Sequence, residues 1–436
     1  LTIIPAYRVN AVVEVPWGAP CDVAVVNTCA VTGEAEQKSG QALRKARRAN
    51  PAALVVAMGC ASQLSDRLPA DLRAGTQGRS RLPQQVLERL ARHPPGEEAI
   101  PDSIPGPWGP LVRVSGARIP FEEMGSVLCQ DETRAFLKIE DGCDHACTYC
   151  AIRLARGPAR SREEPSILEE ARRLAEAGFR ELVLTGIHVC SYGADRGEAG
   201  IALPRLLDRL AGIGGIDRIR LGSLEPTSLE PGLVAALAAH DRICPHFHVS
   251  LQSGSRGVLR RMGRRYDPEK YADALDRLRT AIPGAAVTTD LMVGFPGETE
   301  EEFAESEAFC LRMAFAGLHV FRFSPRPGTA AARFPDPVPA PAVARRMVRM
   351  LALASRLSAA YRTGRIGSRD TVLLETRHPD GSWIGHTADY LQAFVPEDTL
   401  SLAGPPLRSG LLVPVRITGL REDGVACAAA AGDGPA

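Results

Sequence analysis

The chain has 436 residues, 45% hydrophobic and 24% charged, with a net charge of +1. That length accommodates two or three domains with ample core, and the charge balance excludes a polycation. No apolar run is long enough to span a bilayer, no secretory pattern opens the chain, and eleven cysteines in that context point to a reducing compartment, the cytoplasm.

Leu1 in place of a Met suggests a trimmed or non-standard start. The run Asp22–Asn27 reads as a short apolar strand, Val31–Ala49 as a helix with a basic end (Arg44, Lys45, Arg47, Arg48), and Leu54–Met58 as a second strand. Asn50-Pro51 stops the helix between them. Cys29 and Cys60 each lie just past one of these strands, at the carboxyl edge where α/β sheets build sites. Residues 61–90 are weakly patterned, and 93–120 are rich in Pro and Gly and read as linker.

From about 133 the alternation is regular. Strands are predicted at 135–139, 181–185, 217–221, 246–251, 286–293 and 318–323, with helices at 165–177, 203–211, 229–239, 268–280 and 299–315. Such repeated βα units predict a partial (β/α) barrel with its chemistry at the strand C-termini. An Arg-rich helix follows over 339–362. Alternating β residues at 371–375, 385–387 and 411–417 then predict a small five-stranded barrel. The fold class is therefore α/β: an N-terminal α/β domain (1–92), a linker (93–130), a partial (β/α)6 barrel (131–365) and a C-terminal β-barrel (366–430).

The most informative stretch is Asp141-Gly142-Cys143-Asp144-His145-Ala146-Cys147-Thr148-Tyr149-Cys150, directly after the first predicted barrel strand. Thiolates are soft ligands for iron–sulfur clusters or zinc. A closed zinc site and an all-cysteine cubane both want four ligands, so three in one loop suggest a cluster with an iron left open. A zinc knuckle with His145 as fourth ligand is the alternative.

The C-x3-C-x2-C loop resembles the signature of the radical S-adenosylmethionine (SAM) enzymes. The wider order, Asn27-Thr28-Cys29, Gly59-Cys60, the three-cysteine loop and a terminal β-module, is similar to that of the radical-SAM methylthiotransferases. Further wording carries the likeness: Ala155-Arg156-Gly157-Pro158-Ala159-Arg160-Ser161-Arg162, Leu184-Thr185-Gly186-Ile187-His188, Cys244-Pro245-His246-Phe247-His248 with Leu251-Gln252-Ser253-Gly254, Gly294-Phe295-Pro296-Gly297, and Phe323-Ser324-Pro325-Arg326. Thr-Gly-Ile-His and Cys-Pro-His-Phe-His resemble most the branch acting on N6-threonylcarbamoyladenosine beside the tRNA anticodon. The sister branches act on isopentenyl-adenosine in tRNA or on a ribosomal protein. The terminal module looks like a TRAM domain.

The resemblance implies a 4Fe-4S cluster on Cys143, Cys147 and Cys150 that binds and cleaves SAM, and a second 4Fe-4S cluster on Cys29 and Cys60. It implies a tRNA anticodon stem-loop as partner, an electron donor such as flavodoxin or ferredoxin, and a sulfur donor. Thr185, Gly186, Glu225, Gln252, Ser253, Gly294 and Gly297 are expected at the cofactor. Arg153, Arg156, Arg160 and Arg162 would meet tRNA phosphates or form a solvated basic face, and His246 and His248, alternating along a strand, would face the barrel interior or, as the preferred reading, be satisfied core histidines. The remaining thiols, Cys129, Cys190, Cys244, Cys310 and Cys427, read as ordinary buried cysteines. The chain departs from the family where a third N-terminal cysteine belongs: Ala6-Tyr7-Arg8-Val9-Asn10 has Tyr7 there, and Cys21, at the wrong end of a strand, is a poor substitute. A homologue that cleaves SAM without inserting sulfur, and an RNA-binding protein without catalysis, are the rival expectations.

Overall fold

The computed structural model describes residues 19–92, 119–124, 133–397 and 407–430. Tyr7, Cys129 and most of the 93–130 linker lie outside them. In chain order the first elements are β1 (Val23–Thr28), α1 (Gly33–Ala49), β2 (Leu54–Gly59), α2 (Cys60–Leu64), β3 (Leu72–Ala74) and α3 (Leu82–Arg92). Then come β4 (Ala135–Lys138), β5 (Glu140–Asp141), α4 (Ile152–Arg156), β6 (Arg160–Ser161), α5 (Glu164–Glu176), β7 (Glu181–Thr185), α6 (Ala202–Ala211), β8 (Arg218–Leu221), α7 (Pro231–Ala238), β9 (His246–His248), α8 (Arg256–Arg261), α9 (Pro268–Ala281), β10 (Ala286–Val293), α10 (Glu300–Met313), β11 (Gly317–Arg322) and α11 (Ala340–Gly364). The chain ends in β12 (Arg369–Arg377), β13 (Trp383–Thr387), β14 (Gln392–Val395), β15 (Leu412–Arg421) and β16 (Gly424–Ala429).

Two compact units result. The first gathers residues up to 129, 141–162 and 324–333. Its sheet has the order β1-β2-β3, all parallel, with Thr28 in register with Gly59. The helix α1 starts at Thr32, whose hydroxyl accepts from the Ala35 N–H at 3.1 Å. Glu34 and Glu36 occupy its first turn and Arg47 and Arg48 its last, matching the helix dipole. The weakly patterned stretch 61–90 holds α2, β3 and α3. Cys60, Ala61 and Ala155 share one apolar cluster, so α4 packs on α2.

The second unit holds residues 130–140, 163–323 and 334–436. Two parallel sheets, β4-β7-β8 and β9-β10-β11, are joined by bridges between Ile219 and Ile243 and between Leu224 and Val249. One side of the strands (Leu137, Leu182, Leu184, Ile219, Phe247, Val287, Leu291) packs into a core with Ile167, Leu206, Leu275 and Phe303 of the helices. Because side chains alternate along a strand, the opposite, concave side carries Glu181, Arg218, Arg220, His246, His248, Thr288, Asp290 and His319. His246 and His248 thus stand on the inner face. The last five strands form a closed barrel, order β12-β13-β14-β16-β15, around Val372, Val395, Val415 and Ile417. It docks on the N-terminal ends of the larger barrel's strands. Arg218 donates to the Thr371 hydroxyl (2.5 Å), Arg220 to the Ala388 carbonyl (3.1 Å), and Arg134 pairs with Glu375 (3.3 Å).

Candidate active site

The three-cysteine loop is set by its backbone. Gly142 adopts φ +89°, and a Cβ there would stand 2.1 Å from the Pro158 carbonyl oxygen, so only glycine fits. The Cys143 N–H donates to the Gly157 carbonyl at 3.1 Å, and the His145 N–H to Cys143 Sγ at 3.4 Å. The Cys150 N–H closes on the Cys147 carbonyl at 3.1 Å. All three thiols are half-buried and none is in a disulfide. Among the described residues no three His, Cys, Asp or Glu side chains converge on the position of a single metal ion. A cubane spreads its protein ligands over several irons, and three accessible soft donors with an N–H aimed at one sulfur fit that larger group.

Directly before the loop, Asp141 is only 2% exposed. Its carboxylate accepts from Arg156 Nη1 (2.8 Å) and Arg160 Nη2 (3.0 Å), with Arg79 Nη2 at 3.5 Å. Burial alone would lower the Arg156 pKa, but Asp141 and Cys60 together hold it above the usual arginine range. Burial and the neighbouring Arg156 lower that of Arg79.

Cys29 and Cys60 follow the paired ends Thr28 and Gly59 of adjacent strands. Cys29 is exposed, and its N–H donates to the Ser39 hydroxyl at 3.1 Å. Cys60 is buried, and its sulfur accepts from Arg156 Nε at 3.2 Å. Two neighbouring soft donors fit part of a second cluster's ligand set. Burial and the adjacent Asp22 push the Cys21 thiol pKa up, which suits a thiol rather than a ligand.

In the second unit, Thr185, Glu225, Gln252, Ser253, Gly294 and Gly297 lie at or just beyond the C-terminal ends of β7, β8, β9 and β10. A Cβ at Gly186 would stand 3.1 Å from Glu140 Oε2, a tight contact that the carboxylate would have to yield to. Glu225 accepts from Arg264 Nη2 at 2.6 Å on both oxygens. Gln252 sits at φ +68° with its side-chain oxygen buried and, among the described residues, without a hydrogen-bond partner. The Ser253 hydroxyl is 3.1 Å from that of Ser306. Gly294 (φ +78°) and Gly297 (φ +71°) turn the chain after β10; their N–H groups donate to Glu298 Oε2 and to the Asp336 carbonyl, both at 2.8 Å.

The arginine reading needs correction. Arg156 and Arg160 are tied to Asp141, and Arg162 to Glu123 at 2.9 Å; Arg160 and Arg162 are each 4% exposed. They are neither a solvated face nor free to meet phosphates, because their charge is already paired inside the fold. Of the four only Arg153 is exposed. Cys244, Cys310 and Cys427 are buried and Cys190 partly so; burial pushes their pKa values up, to about 11 for Cys190 and Cys244 and about 12 for Cys310 and Cys427, as inert thiols behave. Sequence reasoning also missed Glu140, whose carboxylate accepts from the Ile187 (3.1 Å) and His188 (2.8 Å) N–H groups and so fixes the Thr-Gly-Ile-His turn. Its signal was a carboxylate at the end of a strand.

The Radical SAM superfamily pattern matches residues 137–310, and that of the uncharacterized protein family UPF0004 matches residues 8–74. A Bacillus subtilis protein named threonylcarbamoyladenosine tRNA methylthiotransferase MtaB is 39% identical over 349 residues, covering 78% of this chain and 73% of its own. A Thermotoga maritima protein of the same name is 35% identical, covering 92% and 87%. The chain belongs to the radical-SAM methylthiotransferase family. It is an enzyme, and membership brings a 4Fe-4S cluster and SAM. A Pelotomaculum thermopropionicum tRNA-2-methylthio-N(6)-dimethylallyladenosine synthase is 33% identical over 92% of this chain and 87% of its own. The radical SAM methyltransferase TsrM from Kitasatospora setae, solved with cobalamin and a [4Fe-4S] cluster, superposes with a TM-score of 0.51 at 16% identity, over 71% of this chain and 66% of its own; that likeness concerns the fold alone. Among the described residues no helix is long and apolar enough to cross a membrane.

Proposed function

We propose that this enzyme replaces the hydrogen on adenine C2 of N6-threonylcarbamoyladenosine, next to the tRNA anticodon, with a methylthio group. The observation that carries the reading is the identity to the two threonylcarbamoyladenosine enzymes over most of the chain, joined to a loop of three accessible thiols. Cys143, Cys147 and Cys150 hold the SAM-binding cluster, and Cys29 and Cys60 hold part of a second one, in which Tyr7 stands where the family has its third cysteine. When bound, the first cluster supplies the electron that cleaves SAM into methionine and a hydrogen-abstracting radical; the cofactors carry this chemistry and the chain positions it.

The residues divide the remaining work. Gly142 and Gly157 hold Cys143 in place. Glu140 fixes Thr185 and Gly186 at the end of β7 through the next turn. Gln252 offers a buried amide oxygen that has no partner among the described residues, suited to a polar cofactor or substrate group. Glu225 and Ser253 close the same edge. The small C-terminal barrel is the TRAM-like RNA module. The enzyme works in the cytoplasm with a flavodoxin- or ferredoxin-type electron donor and a sulfur donor. The domain limits follow the same reading: 1–92, 131–365 and 366–430, with a linker at 93–130.

The test is nucleoside analysis of tRNA digests from cells with and without the gene. Loss of the 2-methylthio form of threonylcarbamoyladenosine on deletion is expected. Loss of a methylthio group from isopentenyl-adenosine, or from a ribosomal protein, would reassign the substrate.

A further inference from the structure

Within the first unit, Arg156 joins Cys60 to Asp141, which precedes the three-cysteine loop. Its Nε donates to Cys60 Sγ at 3.2 Å, while its Nη1 donates to Asp141 Oδ1 at 2.8 Å, two residues before Cys143. The backbone continues the link, because the next residue, Gly157, accepts from the Cys143 N–H at 3.1 Å. The side chain has little freedom. The Arg156 carbonyl accepts from Arg160 Nη1 at 2.7 Å, Ala155 is 0% exposed and accepts from the Thr76 hydroxyl at 2.5 Å, and α4 shares its apolar cluster with Cys60. A planar guanidinium serves a carboxylate with one edge and a sulfur with another, whereas an ammonium is a single point charge.

We propose that Arg156 is a positioning residue for the second cluster: it donates a charge-assisted hydrogen bond to the Cys60 thiolate, raises that cluster's reduction potential, and locks it to the loop that carries Cys143. This rests on the reading that Cys60 ligates a cluster. Hydrogen bonds to ligand sulfur and nearby positive charge stabilise the more negative, reduced state, and so raise the potential. Arg160 and Arg79 reach Asp141 but, among the hydrogen bonds of the described residues, only Arg156 donates to Cys60. Asp141 would therefore stay paired without Arg156, whereas Cys60 would lose its donor.

The test uses the full chain with Cys143, Cys147 and Cys150 all changed to Ala, so that any cluster seen is the second one. Iron and sulfide per chain are measured after anaerobic reconstitution, and the midpoint potential is read by a redox titration followed by electron paramagnetic resonance. Arg156→Lys is expected to keep the iron and shift the potential to more negative values with an altered signal. Arg160→Lys, which alters the hydrogen bonds to Asp141 and to the Arg156 carbonyl but removes none to Cys60, is expected to leave the potential where it was. An unchanged potential in Arg156→Lys overturns the proposal, as does an equal shift in Arg160→Lys. Loss of iron with a normal potential in what remains assigns Arg156 a purely structural part and also overturns it. If the triple-Ala chain binds no iron, the proposal falls together with sulfur insertion, whereas SAM cleavage by the unaltered chain still reports on the first cluster alone.

Discussion

The guanidinium of Arg220 lies 4.6 Å over the ring of Tyr390, joining the larger barrel to the small C-terminal one. Arg134 stands over the same ring at 5.1 Å, and His386 stacks on it at 4.8 Å. Tyr390 holds this place at φ +71°, an uncommon conformation for a bulky residue. Two cation–π contacts at a partly desolvated site predict that Tyr390→Ala destabilises the second unit by about 2 kcal/mol. Chemical denaturation should report a lower midpoint, while iron content stays the same.

Cys143→Ala should remove about four irons per chain and abolish release of 5′-deoxyadenosine from SAM. Iron analysis and chromatography of the nucleoside check both. The same variant should unfold like the parent when both are metal-free, because Cys143 is only half-buried.

At Gly294, a Cβ would meet Val343 Cγ2 of α11 at 2.7 Å, and φ is +78°. Gly294→Ala therefore combines backbone strain with a clash, and a loss of about 2–3 kcal/mol is expected. Adding Val343→Ala should relieve the clash but not the strain, so the double variant recovers part of the loss. A thermal or denaturant series on the four proteins of the cycle decides it.

His246 lies under the small barrel, with its pKa lowered to about 3 by burial and then by Arg220, His248 and His319. Tyr390 and Thr288 complete its surroundings, at a ring distance of 5.0 Å and an Nε2–Oγ1 distance of 3.2 Å. The folded protein keeps this imidazole neutral, whereas the unfolded chain takes up a proton near its ordinary value of 6.5. Its contribution to stability is thus full above that value and is lost as pH falls from there toward about 3, at a limiting slope of about 1.4 kcal/mol per pH unit. Unfolding free energies from pH 7 to pH 4 should fall less steeply for His246→Gln than for the parent.

Much of the fold was legible because its periodicities are strong. Apolar runs located the parallel strands of the larger barrel to within a few residues, and the helix predicted over 299–315 is α10, which Thr299 and Glu302 start with a capping box. The short elements β3 and α8 gave too few residues for a period to stand out, and α3 lay in a stretch mixing Arg, Gln and Pro. The three-cysteine loop was readable from spacing alone, since ligand geometry in a tight loop constrains sequence directly. The arginines beside it were not. A chain of letters does not distinguish an arginine neutralised by Asp141 from one in solvent; only the fold brings residue 141 against residues 79, 156 and 160.

The docking of the small barrel bears on how such enzymes can be recombined. Arg218 and Arg220 share Glu181 on the inner face, yet they also spend donors on Thr371, Thr387 and Ala388 of the C-terminal module. A chimera that exchanges C-terminal barrels between relatives at the end of α11 would therefore inherit a floor of buried guanidinium groups cut for another lid. Transplants that carry the acceptors at 371 and 387–388 and the ring at 390 along with the new module are the ones that should remain soluble and folded.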